Sequence, residues 1–244
     1  GWGAAGKWDL FLRALNSIPF GTPDPLFGQD IGFYVFWLPL LKYLYGDGMV
    51  AMVLAVLAAA GVYLCNRGLL ISPRGPWLSP AARRHLLALA ALLLLLKAYG
   101  YRLDIYDLLY SERGVAFGAG YADVNAQLPV LKALVVLSVA AALLAFVTGF
   151  TRNWRPFLGG VGALVGLAIL GGGVYPTVIQ RFQVVPNEIV KERPYIDLNI
   201  KYTRMAYGLD NIQEREFPAE ERITTADLRA NDATIRNIRL WDTG

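Results

Sequence analysis

Four long apolar stretches constrain this chain more than any other feature. They lie near 48–66, 85–101, 129–150 and 157–179, and no charge interrupts their interiors. A helix that crosses a bilayer needs about 20 mostly apolar residues, because hydrocarbon offers no water to backbone polar groups. The second stretch holds Leu92, Leu93, Leu94, Leu95 and Leu96, with no charge between Leu86 and Leu96. Each central leucine favours insertion by roughly 0.5 kcal/mol, whereas one central arginine would cost roughly 3 kcal/mol. Lys97 sits near the far end, where its stem can snorkel. Only 17% of the 244 residues are charged and 55% are hydrophobic, against about 25% charge in an average soluble domain. The expected fold class is an all-α membrane bundle of four transmembrane helices, followed by a mixed, partly helical segment outside the membrane.

The third stretch has Lys132 at its mouth, and Asn125 and Pro129 before it predict a capped helix start there. The fourth is rich in glycine. Gly162 and Gly166 form a small-xxx-small pair suited to helix packing. The run Gly171 to Gly173, followed by Pro176, admits a sharper reading as a broken helix lining a ligand or ion passage.

Arginines and lysines near helix ends mark the cytoplasmic side. Arg67, Arg74, Arg83 and Arg84 follow the first stretch without an acid, and Arg152 and Arg155 follow the third in the same way. The loop 101–128 instead sets Asp104, Asp107, Glu112 and Asp123 against Arg102 and Arg113. The arginine loops therefore read as cytoplasmic, and the acidic loop, the amino end and the carboxyl segment as extracytoplasmic at the cell membrane. The net charge of +4 forms no basic run with interleaved aromatics, so no nucleic acid is expected. The expected partners are the lipid bilayer and other membrane or envelope proteins.

Residues 1–46 read as an outer interfacial segment. Trp8, Trp37, Tyr43 and Tyr45 suit the membrane–water boundary, and 30–39 suits a short helix at that surface. Residues 47–180 form the membrane region, and 181–244 the start of an extracytoplasmic domain. In that last part Asn187 suits a helix cap with Glu188 in the first turn. Pro194 suits the start of a second helix, along which Ile196, Ile200, Thr203 and Tyr207 recur until Gly208 ends it. A strand is expected near 212–217, a short helix at 226–231 capped by Thr225, and another strand from Ile238 through Leu240 and Trp241. The chain opens Gly1-Trp2-Gly3 and stops at Trp241-Asp242-Thr243-Gly244 inside a polar stretch, which reads as a fragment of something longer.

Little here resembles a reaction centre. Asp104, Asp107, Glu112 and Asp123, with Ser111 and Asn125, are weak candidates for Ca²⁺ or Mg²⁺, since hard cations take oxygen ligands; the spacing matches no EF-hand. The plainer expectation is a hydrogen-bonded loop in which Arg102 and Arg113 pair the acids. Gly114, Gly118 and Gly120 lack the Gly-Lys-Ser/Thr ending of a phosphate loop. The one histidine, His85, and the one cysteine, Cys65, lie away from the acids, so no nucleophile–base set assembles. No cofactor and no catalytic residue is expected.

Three motifs carry a family resemblance. The run Asp24-Pro25-Leu26-Phe27-Gly28-Gln29-Asp30-Ile31-Gly32-Phe33-Tyr34 is one. The loop from Tyr106-Asp107-Leu108-Leu109-Tyr110-Ser111-Glu112-Arg113-Gly114 through Gly118-Ala119-Gly120-Tyr121-Ala122-Asp123-Val124-Asn125 is the second. Glu192-Arg193-Pro194-Tyr195-Ile196 with Asn199-Ile200, Thr203-Arg204 and Ala206-Tyr207-Gly208-Leu209 is the third. Together they resemble uncharacterised protein family 0182, large membrane proteins of bacteria and some archaea. Ala122 departs from the family's frequent Thr. The resemblance implies about seven spans followed by a large extracytoplasmic domain, with this chain holding the last four spans and the start of that domain. It implies no mechanism.

Three function classes remain. The span interiors carry no ionisable residue, which favours a membrane-anchored scaffold or envelope-associated protein over a transporter. The glycine-rich fourth stretch favours a transporter or channel. An enzyme at the outer surface would have to use the acidic loop. The sidedness makes a direct prediction. In a Cys65→Ser background, Glu112→Cys reacts with a membrane-impermeant maleimide from outside intact cells, and Arg74→Cys reacts only after lysis; labelling of both from one side would refute it.

Overall fold

The computed structural model describes residues 6–72, 75–151, 153–213, 215 and 224–238. Two compact units divide the chain, Gly1–Thr203 and Arg204–Gly244. The first is a helical bundle in which, among the described residues, four helices are long and apolar enough to cross a membrane. A short helix α1 (Trp8–Leu15) comes first. Helix α2 (Leu38–Cys65) continues without a break from a π turn over Phe33–Trp37. Strands β1 (Leu69–Ser72) and β2 (Gly75–Leu78) form an antiparallel hairpin. Helix α3 (Pro80–Asp107) follows, closed by a 3-10 turn Leu108–Tyr110. Helix α4 (Leu128–Phe150) grows out of a π turn Asp123–Gln127. The last apolar helix is α5 (Arg155–Ile169), continued through π turns and α6 (Tyr175–Ile179) into α7 (Glu188–Ala206).

Local chemistry explains these boundaries. Ser79 caps α3, its hydroxyl accepting from the Ala82 N–H at 3.2 Å, and Pro80 takes the first helical position, where no donor is needed. Four prolines inside helical runs share one solution. The residue before each of Pro39, Pro129, Pro176 and Pro186 donates its N–H five residues back: Leu38 to Phe33, Leu128 to Asp123, Tyr175 to Leu170 and Val185 to Gln180. Proline lacks a donor and its ring crowds the carbonyl four residues earlier. Widening the preceding turn to the π form relieves that clash without ending the helix.

This corrects three expectations. Segment 30–39 is not a separate surface helix but the first turns of the α2 run. Pro129 does not start its helix; helical residues begin at Tyr121. Pro194 lies inside α7 and opens no second helix, while Asn187 ends a 3-10 turn Val185–Asn187 that leads directly into α7. The hairpin between α2 and α3 was not anticipated, because its eight residues are too few and too apolar to separate from the flanking helix.

The bundle packs through small residues. On α4, Ser138, Ala141, Ala142 and Ala145 are buried, and on α3, Ala91, Leu94 and Ala98. In hydrocarbon, helices associate through close van der Waals contact, which small side chains permit. The glycines that carry close approach in the fourth stretch are Gly160 and Gly171. A Cβ on Gly160 would stand 3.0 Å from Leu144, and one on Gly171 would stand 2.7 Å from Val130. Gly162 and Gly166 meet nothing within 4 Å among the described residues; the phase set by Gly160, Leu164 and Gly171 turns that pair away from α4. Beyond Leu38 and Leu40 at its start, no residue of α2 is buried among the described residues.

Arg67, Arg83, Arg84 and Arg155 share one end of the bundle, where the Arg83 guanidinium donates to the Gly149 carbonyl at 3.3 Å. Tyr63 and His85 meet there at 3.0 Å. Arg74 and Arg152 lie outside the described residues. The loop from Tyr106 to Asn125 lies at the opposite end.

In the second unit, Gly208 takes a left-handed φ of +65° as expected, before a 3-10 turn Leu209–Asn211. Helices α8 (Thr225–Ala230) and α9 (Asp232–Arg236) follow. Thr224, not Thr225, caps α8, because only Thr224 has Asp227 three residues on to complete the capping box. The strand expected at 212–217 and the one from Ile238 fall largely outside the described residues.

The glycine contact is testable. Gly171→Leu should lower bundle stability in detergent by about 1–3 kcal/mol through overpacking. Adding Val130→Ala should return part of that loss, so that the pair costs less than the sum of the two single changes in a thermal melt.

Candidate functional site

The three sequence motifs meet at the end of the bundle opposite the arginines. In the first, two aspartates fold the loop 20–34 around themselves. The buried Asp24 carboxylate accepts N–H bonds from Leu26, Phe27 and Gln29 at 2.8–2.9 Å, and the Tyr34 hydroxyl donates to it at 2.7 Å. Asp30 accepts from the N–H groups of Phe20, Gly21 and Gly32 at 2.7–3.0 Å. The Phe20 N–H leads in holding the Asp30 carboxyl below the usual carboxylate range, against partial desolvation, with the Gly32 and Gly21 N–H groups adding to it. Gly28, at φ +67°, permits the turn between them. Phe27, Phe33 and Tyr34 then pack edge-on against Tyr106 of α3, with ring centroids 5.1–6.0 Å apart.

The second and third motifs form a clamp at the helical start before α4. The N–H of Gly120 donates to Asp123 at 3.2 Å, and that of Tyr121 donates to both Glu192 oxygens at 3.2 Å. Asp123 is 1% exposed and Glu192 2%, so both carboxylates are withdrawn from water. A helix start welcomes them: its first N–H groups have no partner of their own and carry partial positive charge. The Arg113 guanidinium meets Asp123 at 3.1 Å. A Cβ on Gly120 would stand 3.1 Å from Glu192, so glycine is what lets this carboxylate reach the backbone. Around it, Asn125 donates to the Tyr195 hydroxyl at 3.2 Å and Asn199 to the Phe117 carbonyl at 2.9 Å. Lys191 lies 4.6 Å over the Tyr121 ring. The Tyr202 hydroxyl reaches the Pro23 carbonyl at 3.1 Å and joins the third motif to the loop of the first.

Beside the clamp a cleft of about 440 Å³ enters the bundle. Asp104, Asp107, Ser111, Arg113, Asp123 and Gln127 line its polar part; Leu131, Leu134, Ala168 and Gly172 line the apolar remainder. The structure thus brings three of the four candidate metal acids to one cleft, while Glu112 stays exposed and does not line it. Two of the three are already engaged, Asp123 by Arg113 and Asp107 by Lys42. Among the described residues no group of three His, Cys, Asp or Glu side chains is placed to hold a metal ion. Arg113 pairs an acid as expected; Arg102 pairs none among the described residues. Glu192, Lys42, Asp24 and Gly120 were missed as site residues. For Glu192, Asp24 and Gly120 the available signal was the motif resemblance, and Lys42 lies in none of the three motifs; Glu192 contacts a backbone about 70 positions earlier.

Comparison with known proteins agrees with the motif reading. The family model described as "Uncharacterised protein family (UPF0182)" matches residues 1–244. A UPF0182 protein of Moorella thermoacetica is 44% identical over 241 residues, covering 98% of this chain and 26% of the relative. One from Desulforamulus reducens is 42% identical over 238 residues, covering 98% and 26%. One from Frankia alni is 40% identical over 242 residues, covering 99% and 24%. The chain therefore spans about a quarter of the length of these curated relatives. No solved structure matches it.

The clamp yields a local prediction. Glu192→Ala leaves the Tyr121 N–H buried and unpaired, at a cost of about 1–3 kcal/mol. Hydrogen exchange at the amides of 120–124 should accelerate at least tenfold, while exchange in the middle of α4 stays unchanged. Equal acceleration along all of α4 would mean that the carboxylate supports the whole bundle and not its mouth.

Proposed function

The chain belongs to the uncharacterised protein family UPF0182, and from that premise we propose that it is a membrane-embedded scaffold that anchors and orients an extracytoplasmic domain of a larger protein at the cell membrane. The observation that carries this reading is the burial of Glu192 on the helix start at Gly120. The withdrawn or loop-held carboxylates of all three motifs are spent on this chain itself: Asp24 and Asp30 on loop backbone, Asp123 on Arg113, Glu192 on Tyr121. A site that works on a substrate keeps groups free to meet it. Here they fix the direction in which α7 leaves the bundle. Charge bias favours placing this end outside and the arginine end in the cytoplasm. Its partners are then the lipid bilayer and other membrane or envelope proteins, with no nucleic acid.

One observation favours a second reading, a transporter or channel component. The polar cleft enters the bundle beside Gly172, and Asp104 on its wall makes no ion pair among the described residues. Carboxylates lining the mouth of a pore select for cations.

The two readings separate in a strain lacking the full-length protein. The scaffold reading expects Glu192→Ala to fail to complement, and Asp104→Ala, which leaves the clamp untouched, to complement within about twofold of wild type. Failure of Asp104→Ala with normal exchange protection at 120–124 would replace the scaffold with the transport reading.

A further inference from the structure

A second cleft of about 440 Å³ opens on the flank of the bundle between α3 and α4, under the loop of the first motif. Its wall combines Arg102, Lys132, Gln29, Phe27 and Tyr106 with Ile105, Val135 and Val136, and no carboxylate lines it. At this end of the bundle Lys42 is engaged by Asp107, Arg113 by Asp123 and Lys191 by Tyr121. Arg102 and Lys132 are exposed and, among the described residues, have no hydrogen-bond or ion-pair partner.

Depth gives the cleft its meaning. Lys132 lies between seven and eight residues from the middle of the stretch 129–150, roughly 11 Å at 1.5 Å per residue. Arg102 lies nine residues from the middle of 85–101, roughly 13 Å. The hydrocarbon half-thickness is about 15 Å, so two side chains on different helices bring their charges to the level of lipid phosphates. Val136, 69% exposed, sits one turn below Lys132, where an acyl chain would run. Isolated basic residues near span ends snorkel outward singly. These two converge on one cleft with an amide beside them, aromatic walls above and an apolar trough beneath.

We propose that this cleft binds a phosphate-bearing anionic lipid, its phosphate held by Arg102 and Lys132 and its chain laid against Val135 and Val136. The guanidinium and the ammonium donate to phosphate oxygens, and basic pockets between membrane helices recognise such headgroups. The site is independent of the scaffold reading and of the clamp.

The test uses the full-length protein in detergent, with native mass spectrometry of bound lipid at matched phosphatidylglycerol and phosphatidylcholine concentrations. Phosphatidylglycerol should be retained preferentially. Arg102→Gln or Lys132→Gln should weaken that retention roughly fivefold each, and about thirtyfold together. A photoactivatable phosphatidylglycerol should crosslink to peptides containing 102–106 or 132–136, a readout on the unaltered protein that needs no variant to fold. Equal retention of both lipids, or crosslinks confined to other peptides, would overturn the assignment. Displacement of the lipid by inorganic phosphate at millimolar concentration would also overturn it, because the site would then select a free anion and not a lipid.

Discussion

Hydrocarbon has no hydrogen-bond partners to lend, and the rest of this structure follows from that shortage. A helix crossing it cannot simply stop. Proline in the interior of a soluble helix usually ends or breaks it. Here Pro39, Pro129, Pro176 and Pro186 each follow a widened turn whose last N–H reaches back five residues. The backbone keeps its bonds and the helix continues, so the fourth apolar helix runs for 52 residues from Arg155 to Ala206. About 20 residues suffice to cross, so its far part must leave the hydrocarbon, and α7 arrives where it can meet the loop 113–125. Pro194 shows no such turn, and nothing in the surrounding contacts accounts for the difference.

The same shortage shapes the clamp. The helical start at Gly120 and Tyr121 lies beneath the docked α7, where water cannot reach its first donors. Asp123 supplies one acceptor from within the helix, and Glu192 supplies another from a distant segment. Burying two carboxylates is expensive unless hydrogen bonds and opposite charge offset it. The helix start supplies the first and Arg113 the second. Each such charge-assisted bond contributes about 1.5–3 kcal/mol net, enough to seat α7 firmly but too little to replace the packing of α3 on α4.

The legible part of the fold was the part governed by hydrophobicity. All four apolar stretches are helices, because insertion energy sums along the chain and needs no partner. The end of α7 at Gly208 was legible too, since a left-handed cap is a local preference. The failures share a cause. Pro129 and Pro194 were read as helix starts by a rule drawn from water, where a helix may begin wherever a donor is missing. The Gly162–Gly166 spacing reads as a close-approach face, but which partner a face meets depends on helix phase, and toward α4 it is Gly160 and Gly171 that approach. Glu192 was invisible as a site residue because its role is to satisfy the backbone of Tyr121, and no local pattern reports a contact of that sequence separation.

Charge placement ties these observations together. At the mouth of the bundle the interior cations neutralise interior carboxylates: Lys42 holds Asp107 and Arg113 holds Asp123. Removing those pairs from the count leaves Asp104 and Glu112 against Arg102 and Lys132, a balanced end. The opposite end keeps Arg67, Arg83, Arg84 and Arg155 with no acid in either of its loops. The asymmetry that orients a membrane protein therefore does not depend on charges that are already paired inside the structure. The two cations left over at the mouth line a cleft that no carboxylate enters. They sit on the flank, at the height of lipid phosphates, and a bilayer is the one surrounding that supplies anions at that height without supplying water.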